Sequence, residues 1–108
     1  MINELRVYYT MPGKLQELNS RFEKHTLKIW ERFGITSIGF WTTLIGEDNN
    51  TLYYMLAWDS LAEREKKWNS FIKDPEWLTV RENSEKNGPL VSRISSQLLS
   101  PTIFSSIK

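Results

Sequence analysis

Segments with the hydrophobic pattern of a strand and segments with that of a helix follow one another along this 108-residue chain, and their order is the strongest constraint on its fold. Residues 4–10 alternate between two side-chain faces and are rich in β-branched and aromatic side chains, which predicts a strand. Residues 14–33 carry apolar side chains three, four or seven positions apart, which predicts one helix, and Gly34 would end it. Residues 36–45 and 51–58 again have strand composition and flank a polar loop, so they predict a β-hairpin.

The second half of the chain repeats the helix and strand signals. Ser60 and Glu63 form a capping box that predicts a helix start, and Asp74-Pro75 interrupts that helix. Asp74 would then cap a second helical piece at residues 76–86, and residues 90–99 are the candidate for a last strand. The order strand, helix, strand, strand, helix, strand predicts one ferredoxin-like α+β domain over residues 1–108, with a four-stranded antiparallel sheet covered on one face.

Composition excludes several classes of function. The 14 basic and 13 acidic residues give a net charge of +1 and are mixed along the chain, which argues against nucleic acid as a partner. The absence of cysteine excludes disulfides and thiolate metal sites. There is no apolar run long enough to span a membrane and no basic leader, so we expect a cytoplasmic protein.

Aromatic residues are more numerous than a minimal core requires. Five Trp, four Tyr and five Phe in a chain of this length indicate a pocket or an interface beside the core. One face of the predicted sheet would carry large apolar side chains without a covering layer. A homodimer would bury that face, and whether dimers assemble further is left open. Ile103 and Phe104 predict that the C-terminal tail also packs against the domain.

A family resemblance supports this expectation. The chain contains, in order, ELRVYYTMPGKLQEL, RFEKHTLKIWERFGI, GFWTT and YYMLAWDSLAEREKKWNSFIKDPEW. These runs resemble the successive signatures of NIPSNAP domains over about residues 3–100. The resemblance implies a ferredoxin-like subunit that pairs sheet to sheet into a dimeric α+β barrel.

The resemblance says less about activity. Related barrels include cofactor-free monooxygenases, small-molecule isomerases and haem enzymes, together with members that have no known activity. The biochemical role of NIPSNAP proteins is poorly defined. Animal members are associated with mitochondria and with vesicle or quality-control signalling, roles that are not transferred to this chain.

His25 is the single histidine and the first candidate for chemistry. It follows Phe22 by three positions and precedes Ile29 by four, so a regular helix would place it on the apolar side. One reading is a half-packed side chain with a structural hydrogen bond. The other is a proton donor or acceptor at a pocket mouth, and His25 matches the HTL position of the resemblance.

The first strand offers a second candidate group. Glu4, Arg6 and Tyr8 share one face, and we expect them to point into the dimer or its cavity while Leu5, Val7 and Tyr9 meet the helices. Arg6 would pair with Glu4 or with a substrate acid, and the internal ion pair is the favoured alternative.

Two functions follow. In the first, the barrel cavity holds a small apolar or aromatic metabolite, and His25 and Arg6 handle protons or an oxyanion. The expected lining of that cavity is Tyr8, Trp41, Tyr54 and Trp58, with Glu4 beside it. In the second, the aromatic residues only seal a non-catalytic dimeric interaction module. No cofactor or metal is predicted; a haem would require His25 to face the cavity.

Overall fold

A computed structural model describes all of residues 1–108. Its sheet has the order β2-β3-β1-β4 with every pair antiparallel. The strands are β1 (Ile2–Thr10), β2 (Thr36–Thr42), β3 (Thr51–Trp58) and β4 (Val91–Leu99). This is the predicted ferredoxin-like arrangement, in which the first and third strands are central and the second and last strands lie at the edges.

The helices begin where the sequence signals place them. They are α1 (Leu15–Arg21), α2 (Leu27–Phe33), α3 (Leu61–Ile72) and α4 (Pro75–Ser84). Ser60 accepts a hydrogen bond from the Glu63 amide, and Asp74 accepts one from the Trp77 amide, so both predicted caps are present. Gly34 ends α2 in the left-handed conformation, with φ at 70°. None of the helices is long and apolar enough to cross a membrane.

A π-helical segment, Phe22–Thr26, joins α1 to α2 where one regular helix was predicted. A π-turn contains one residue more than an α-turn, which changes the side chains that face the sheet. Phe22 and Thr26 are buried, whereas His25 between them is exposed. The predicted apolar-side position of His25 is therefore wrong, because the wider turn rotates it away and brings Thr26 inward.

The faces of β1 are the reverse of those expected. Arg6 lies opposite Tyr54 and Tyr8 lies opposite Leu52, and these residues pack beneath the helices. Leu5, Val7 and Tyr9 occupy the other face, which no helix covers. The prediction assumed that the more polar residues face away from the helices. It fails because the polar groups of β1 are buried together in one hydrogen-bonded network.

Two chain segments are more exposed than their composition suggests. β2 ends at Thr42, three residues before the predicted end, and Leu44 and Ile45 are each 94% exposed. The tail lies beside Asn3 and Met55 of the sheet, as predicted, but Ile103 is 88% and Phe104 86% exposed, so these two side chains do not make the contact.

Candidate functional site

A cleft of about 400 Å³ opens between the helices and the β4 side of the sheet. We call it the helix–sheet cleft. It forms because the helices pack mainly over β1 and β3: on β4, Ile94 and Leu98 are paired with Tyr8 and Glu4 yet remain 50% and 45% exposed. The residues that define the cleft are Arg6, Tyr8, Arg21, Trp68, Trp77 and Ile94.

Glu4 anchors the floor beside the cleft. Its side chain is fully buried, and its carboxylate accepts hydrogen bonds from Arg6 at 3.0 Å, from Arg64 at 2.8 and 3.0 Å, from Trp58 at 2.9 Å and from Ser96 at 2.6 Å. Burial alone would raise the pKa of Glu4, but these donors outweigh it and lower the pKa to about 2. Glu4 is therefore a fixed anion that is saturated with donors.

Arg6 connects this carboxylate to two tyrosines. Its Nε donates to the Tyr54 hydroxyl at 2.7 Å and its Nη2 to the Tyr8 hydroxyl at 3.4 Å, and its guanidinium lies 4.5 Å from the centre of the Trp68 ring. Burial opposes the charge of Arg6, yet its partners hold the pKa above its usual value. The predicted Glu4–Arg6 ion pair is thus present, and Arg6 has little capacity left for another anion.

Tyr8 is the hydroxyl of this network that reaches the cleft. Its oxygen accepts hydrogen bonds from the Tyr54 hydroxyl at 2.9 Å and from Arg6, while its own proton has no acceptor within the protein. Tyr54 lies deeper, and burial, followed by its neighbour Tyr8, raises the pKa of Tyr54 well above the usual value. Tyr54 is therefore a neutral donor that orients Tyr8, and Tyr8 can donate to a bound molecule.

Arg21 lies in the opposite wall of the cleft, at the end of α1. It is only 7% exposed, and its Nη1 donates to the Ser84 hydroxyl at 3.2 Å, while its guanidinium lies 5.1 Å from the centre of the Trp77 ring. Its Nε is buried without a hydrogen-bond partner. Burial lowers the pKa of Arg21, which is the expected effect of a desolvated cation without a directly bonded carboxylate.

His25 does not join this group. It is exposed and borders a separate surface depression between α1, the π segment and α4. The predicted partnership of His25 and Arg6 at one cavity is therefore wrong. The condition set for haem ligation, that His25 face the cavity, is not met either.

The four aromatic residues expected to line one cavity are also separated. Tyr8 alone borders the helix–sheet cleft, whereas Tyr54 and Trp58 are fully buried in the core. Trp41 pairs with Tyr53 and so lies on the uncovered sheet face at the edge strand. The sequence leaves open which face of β2 and β3 lines the cavity, and the strand register places Trp41 on the face opposite to the other three.

Sequence reasoning did not identify Arg21, Trp68 or Trp77 as residues that border a cleft. Arg21 follows Leu18 by three positions and precedes Phe22, both of which are buried. A charged residue within the apolar stripe of a helix is the signal that could have identified it. No comparable signal shows that the two tryptophans border a cleft.

The sequence of the chain matches one family over almost its full length. The family model described as NIPSNAP matches residues 3–106. The human protein NipSnap homolog 3A is 30% identical over 74 residues, which are 68% of this chain and 29% of the human protein. The aligned part of this chain thus spans under a third of that relative.

Solved structures show the same architecture. An uncharacterised NIPSNAP-like domain protein from Burkholderia xenovorans is 26% identical with a TM-score of 0.85, covering 96% of this chain and 87% of the other. A NIPSNAP family protein from Agrobacterium tumefaciens is 24% identical with a TM-score of 0.87 over 99% and 98% of the two chains. A Nitrosomonas europaea protein provisionally described as an antibiotic biosynthesis monooxygenase shares the fold alone, with 8% identity and a TM-score of 0.63 over 94% and 98% of the chains. With the family model matching nearly the whole sequence, this chain belongs to the NIPSNAP family.

Proposed function

We propose that this NIPSNAP protein binds a small apolar or aromatic molecule in the helix–sheet cleft. The observation that carries the proposal is the Tyr8 hydroxyl, which is held by Arg6 and Tyr54 and keeps its own proton free at a cleft of ligand size. A preorganised donor beside an apolar wall is what a binding site requires.

The walls of the cleft indicate the character of the ligand. Trp68, Phe71 and Trp77 contribute aromatic surface, with ring centres 5.2 Å apart for Trp68 and Phe71 and 4.9 Å apart for Phe71 and Trp77. Such surface favours flat apolar molecules, which stack or pack edge to face against it. The volume of about 400 Å³ is within the range of small-metabolite pockets.

The proposal extends to chemical conversion of the bound ligand. The Tyr8 hydroxyl, which Arg6 and Tyr54 hold in place, can donate to an oxyanion that develops on a bound molecule, which is the electrostatic assistance that cofactor-free oxygenation or isomerisation would use. The fold shared with the protein described as a monooxygenase is compatible with this chemistry and supplies no residue-level support. A cytoplasmic location stays a prediction.

We further propose that the chain functions as a homodimer that pairs through the uncovered sheet face. That face carries Leu5 and Tyr9 from β1, Tyr53 and Met55 from β3, and Trp41 from β2, which are half-buried or exposed in the single subunit. Large apolar side chains across three neighbouring strands are typical of a surface that another protein covers, and a second copy presents the complementary face by symmetry.

One observation favours the alternative of a non-catalytic interaction module. Leu44 and Ile45, in the loop between β2 and β3, are almost fully exposed and lie outside the sheet. Two adjacent exposed aliphatic residues are suited to insertion into a partner protein. This alternative predicts a protein ligand and an unused cleft.

The proposed cleft can be tested by filling it. A tryptophan at Ile94, which borders the cleft, should block ligand access, whereas a tryptophan at Leu98, on the same strand and face but outside the cleft, is the matched control. A library of small aromatic and apolar compounds would be screened by saturation-transfer NMR against wild type, Ile94→Trp and Leu98→Trp. We expect hits that bind wild type and Leu98→Trp and are lost in Ile94→Trp.

Hits that bind Ile94→Trp as well as wild type would place the ligand elsewhere and contradict the proposal. A library without any hit would also contradict it and would favour the interaction module. Thermal unfolding of both tryptophan variants checks that each is folded before binding is compared.

A further inference from the structure

We propose that the ligand of the helix–sheet cleft is an organic acid whose anionic group binds Arg21. The inference rests on the proposed small-molecule function and adds the chemical class of the ligand. Its basis is the pairing of charges around the cleft.

Two of the three other arginines that border the cleft have a carboxylate partner, and the third, Arg93, is exposed and lies 3.8 Å from the centre of the Tyr9 ring. Arg6 is bonded to Glu4 at 3.0 Å, and Arg81 lies 3.4 Å from Glu85, which also borders the cleft. Arg21 has no carboxylate within the 4.0 Å of an ion pair, although it is about as buried as Arg6. Glu85 is near enough to act on Arg21 through space but forms its ion pair with Arg81.

A buried cation without a partner is costly, and proteins normally pair it or leave it in water. Arg21 keeps one hydrogen bond to Ser84 and the ring face of Trp77, while its buried Nε donor is unused. An acid group that accepts from the free hydrogens of the two terminal nitrogens would supply the missing counter-charge in a two-point geometry that carboxylates form with arginine.

The rest of the cleft fits an acid with an apolar body. Trp77, which lies under Arg21, leads to Phe71 and Trp68, and Tyr8 provides a hydrogen-bond donor on the far wall. A molecule with an anionic end at Arg21 would thus place its apolar part against the aromatic rings. A neutral molecule would fill the cleft but leave Arg21 unpaired.

The test compares naphthylacetate with its neutral amide, naphthylacetamide, which has nearly the same shape. Binding of each would be measured by isothermal titration calorimetry to wild type, Arg21→Gln and Lys24→Gln. Lys24 is exposed on the adjacent turn and does not border the cleft, so its variant controls for the change in net charge. We expect wild type to prefer the acid by roughly tenfold to a hundredfold.

Arg21→Gln should abolish that preference without weakening the amide, and Lys24→Gln should retain it. Equal binding of acid and amide to wild type would overturn the acid inference while leaving the small-molecule function standing, whereas binding of neither probe would count against both. If Arg21→Gln does not fold, binding of the acid and the amide is measured with Arg21→Lys instead. It keeps the charge without the two-point geometry, and an acid preference identical to wild type would then contradict the assignment.

Discussion

At the residue scale, Glu4 is the residue that allows the polar face of β1 to be buried beneath the helices. Its carboxylate receives hydrogen bonds from β1, from α3, from β3 and from β4, through Arg6, Arg64, Trp58 and Ser96. Each donor would be unsatisfied or less well satisfied without it. The anion therefore links the layers of the domain, and its ionisation should contribute to folding.

Glu4 predicts a specific loss of stability in acid. Its pKa falls from 4.5 to about 2 on folding, so its contribution is complete above pH 4.5 and is lost as the pH falls towards 2. The shift corresponds to roughly 3 kcal/mol of unfolding free energy. We expect the melting temperature of wild type to fall steeply between pH 4.5 and 2, and that of Glu4→Gln to be lower at neutral pH and to vary less in this range.

Glu47→Gln is the control, since Glu47 is exposed in the loop between β2 and β3 and makes no ion pair. The melting temperature of Glu47→Gln should depend on pH in the same way as that of wild type. Circular dichroism melts across the pH range provide the measurement. An acid dependence that is the same in Glu4→Gln and wild type would show that the network does not depend on the Glu4 charge.

Residue pairs were easier to predict than residue environments. The Glu4–Arg6 pair follows from their spacing of two on one strand, and the structure contains it. The side of the sheet on which the pair lies could not be read, because the alternation of β1 has polar residues on one face and apolar residues on the other. Only the register with β3 and the donors supplied from α3 and β4 show that the polar face is the buried one.

At the scale of elements, the ends of the helices could be predicted from the sequence, whereas the π segment could not. The helix ends, the two caps and the strand order were predicted because Gly34, Ser60 and Asp74-Pro75 act locally. The extra residue in Phe22–Thr26 leaves no local signal, since its apolar spacing is compatible with a regular helix. The position of His25 depended on that difference.

Deleting His25 should therefore be tolerated. A π-turn contains one residue more than an α-turn, so removing this exposed residue lets α1 and α2 join as one regular helix with both buried faces unchanged. Deleting Glu65, which is exposed within α3, a regular helix without a π segment, would rotate one part of that helix by about 100° relative to the other. We expect the His25 deletion to unfold cooperatively near the wild-type melting temperature and the Glu65 deletion to be strongly destabilised.

Thermal unfolding followed by circular dichroism compares the two deletions directly. Similar damage from both would mean that the π geometry itself is needed, for example to hold Thr26 inside. A folded His25 deletion that still binds cleft ligands would also exclude the imidazole from the site by a route independent of the structure.

At the scale of the whole molecule, the domain is a two-layer object about 20 Å thick, with helices on one side of the sheet. Its cleft and its uncovered face lie on opposite sides of the same strands. β1 contributes Tyr8 to the cleft and its neighbours Val7 and Tyr9 to the uncovered face. Pairing through that face would stiffen β1 and leave the cleft open, so each subunit would retain a complete site.

The homodimer is tested by placing a charge on the uncovered face. Met55→Lys puts a cation at the centre of β3, where a second sheet would have to desolvate it, so we expect this variant to be monomeric at concentrations where wild type is dimeric. Leu78→Lys, on the exposed surface of α4, is the matched control and should remain dimeric. Light scattering coupled to size-exclusion chromatography measures the mass of each. A dimer that persists in Met55→Lys but is lost in Leu78→Lys would assign the interface to the helical layer. A monomeric wild type would contradict the homodimer and mean that a different partner covers the apolar face of the sheet.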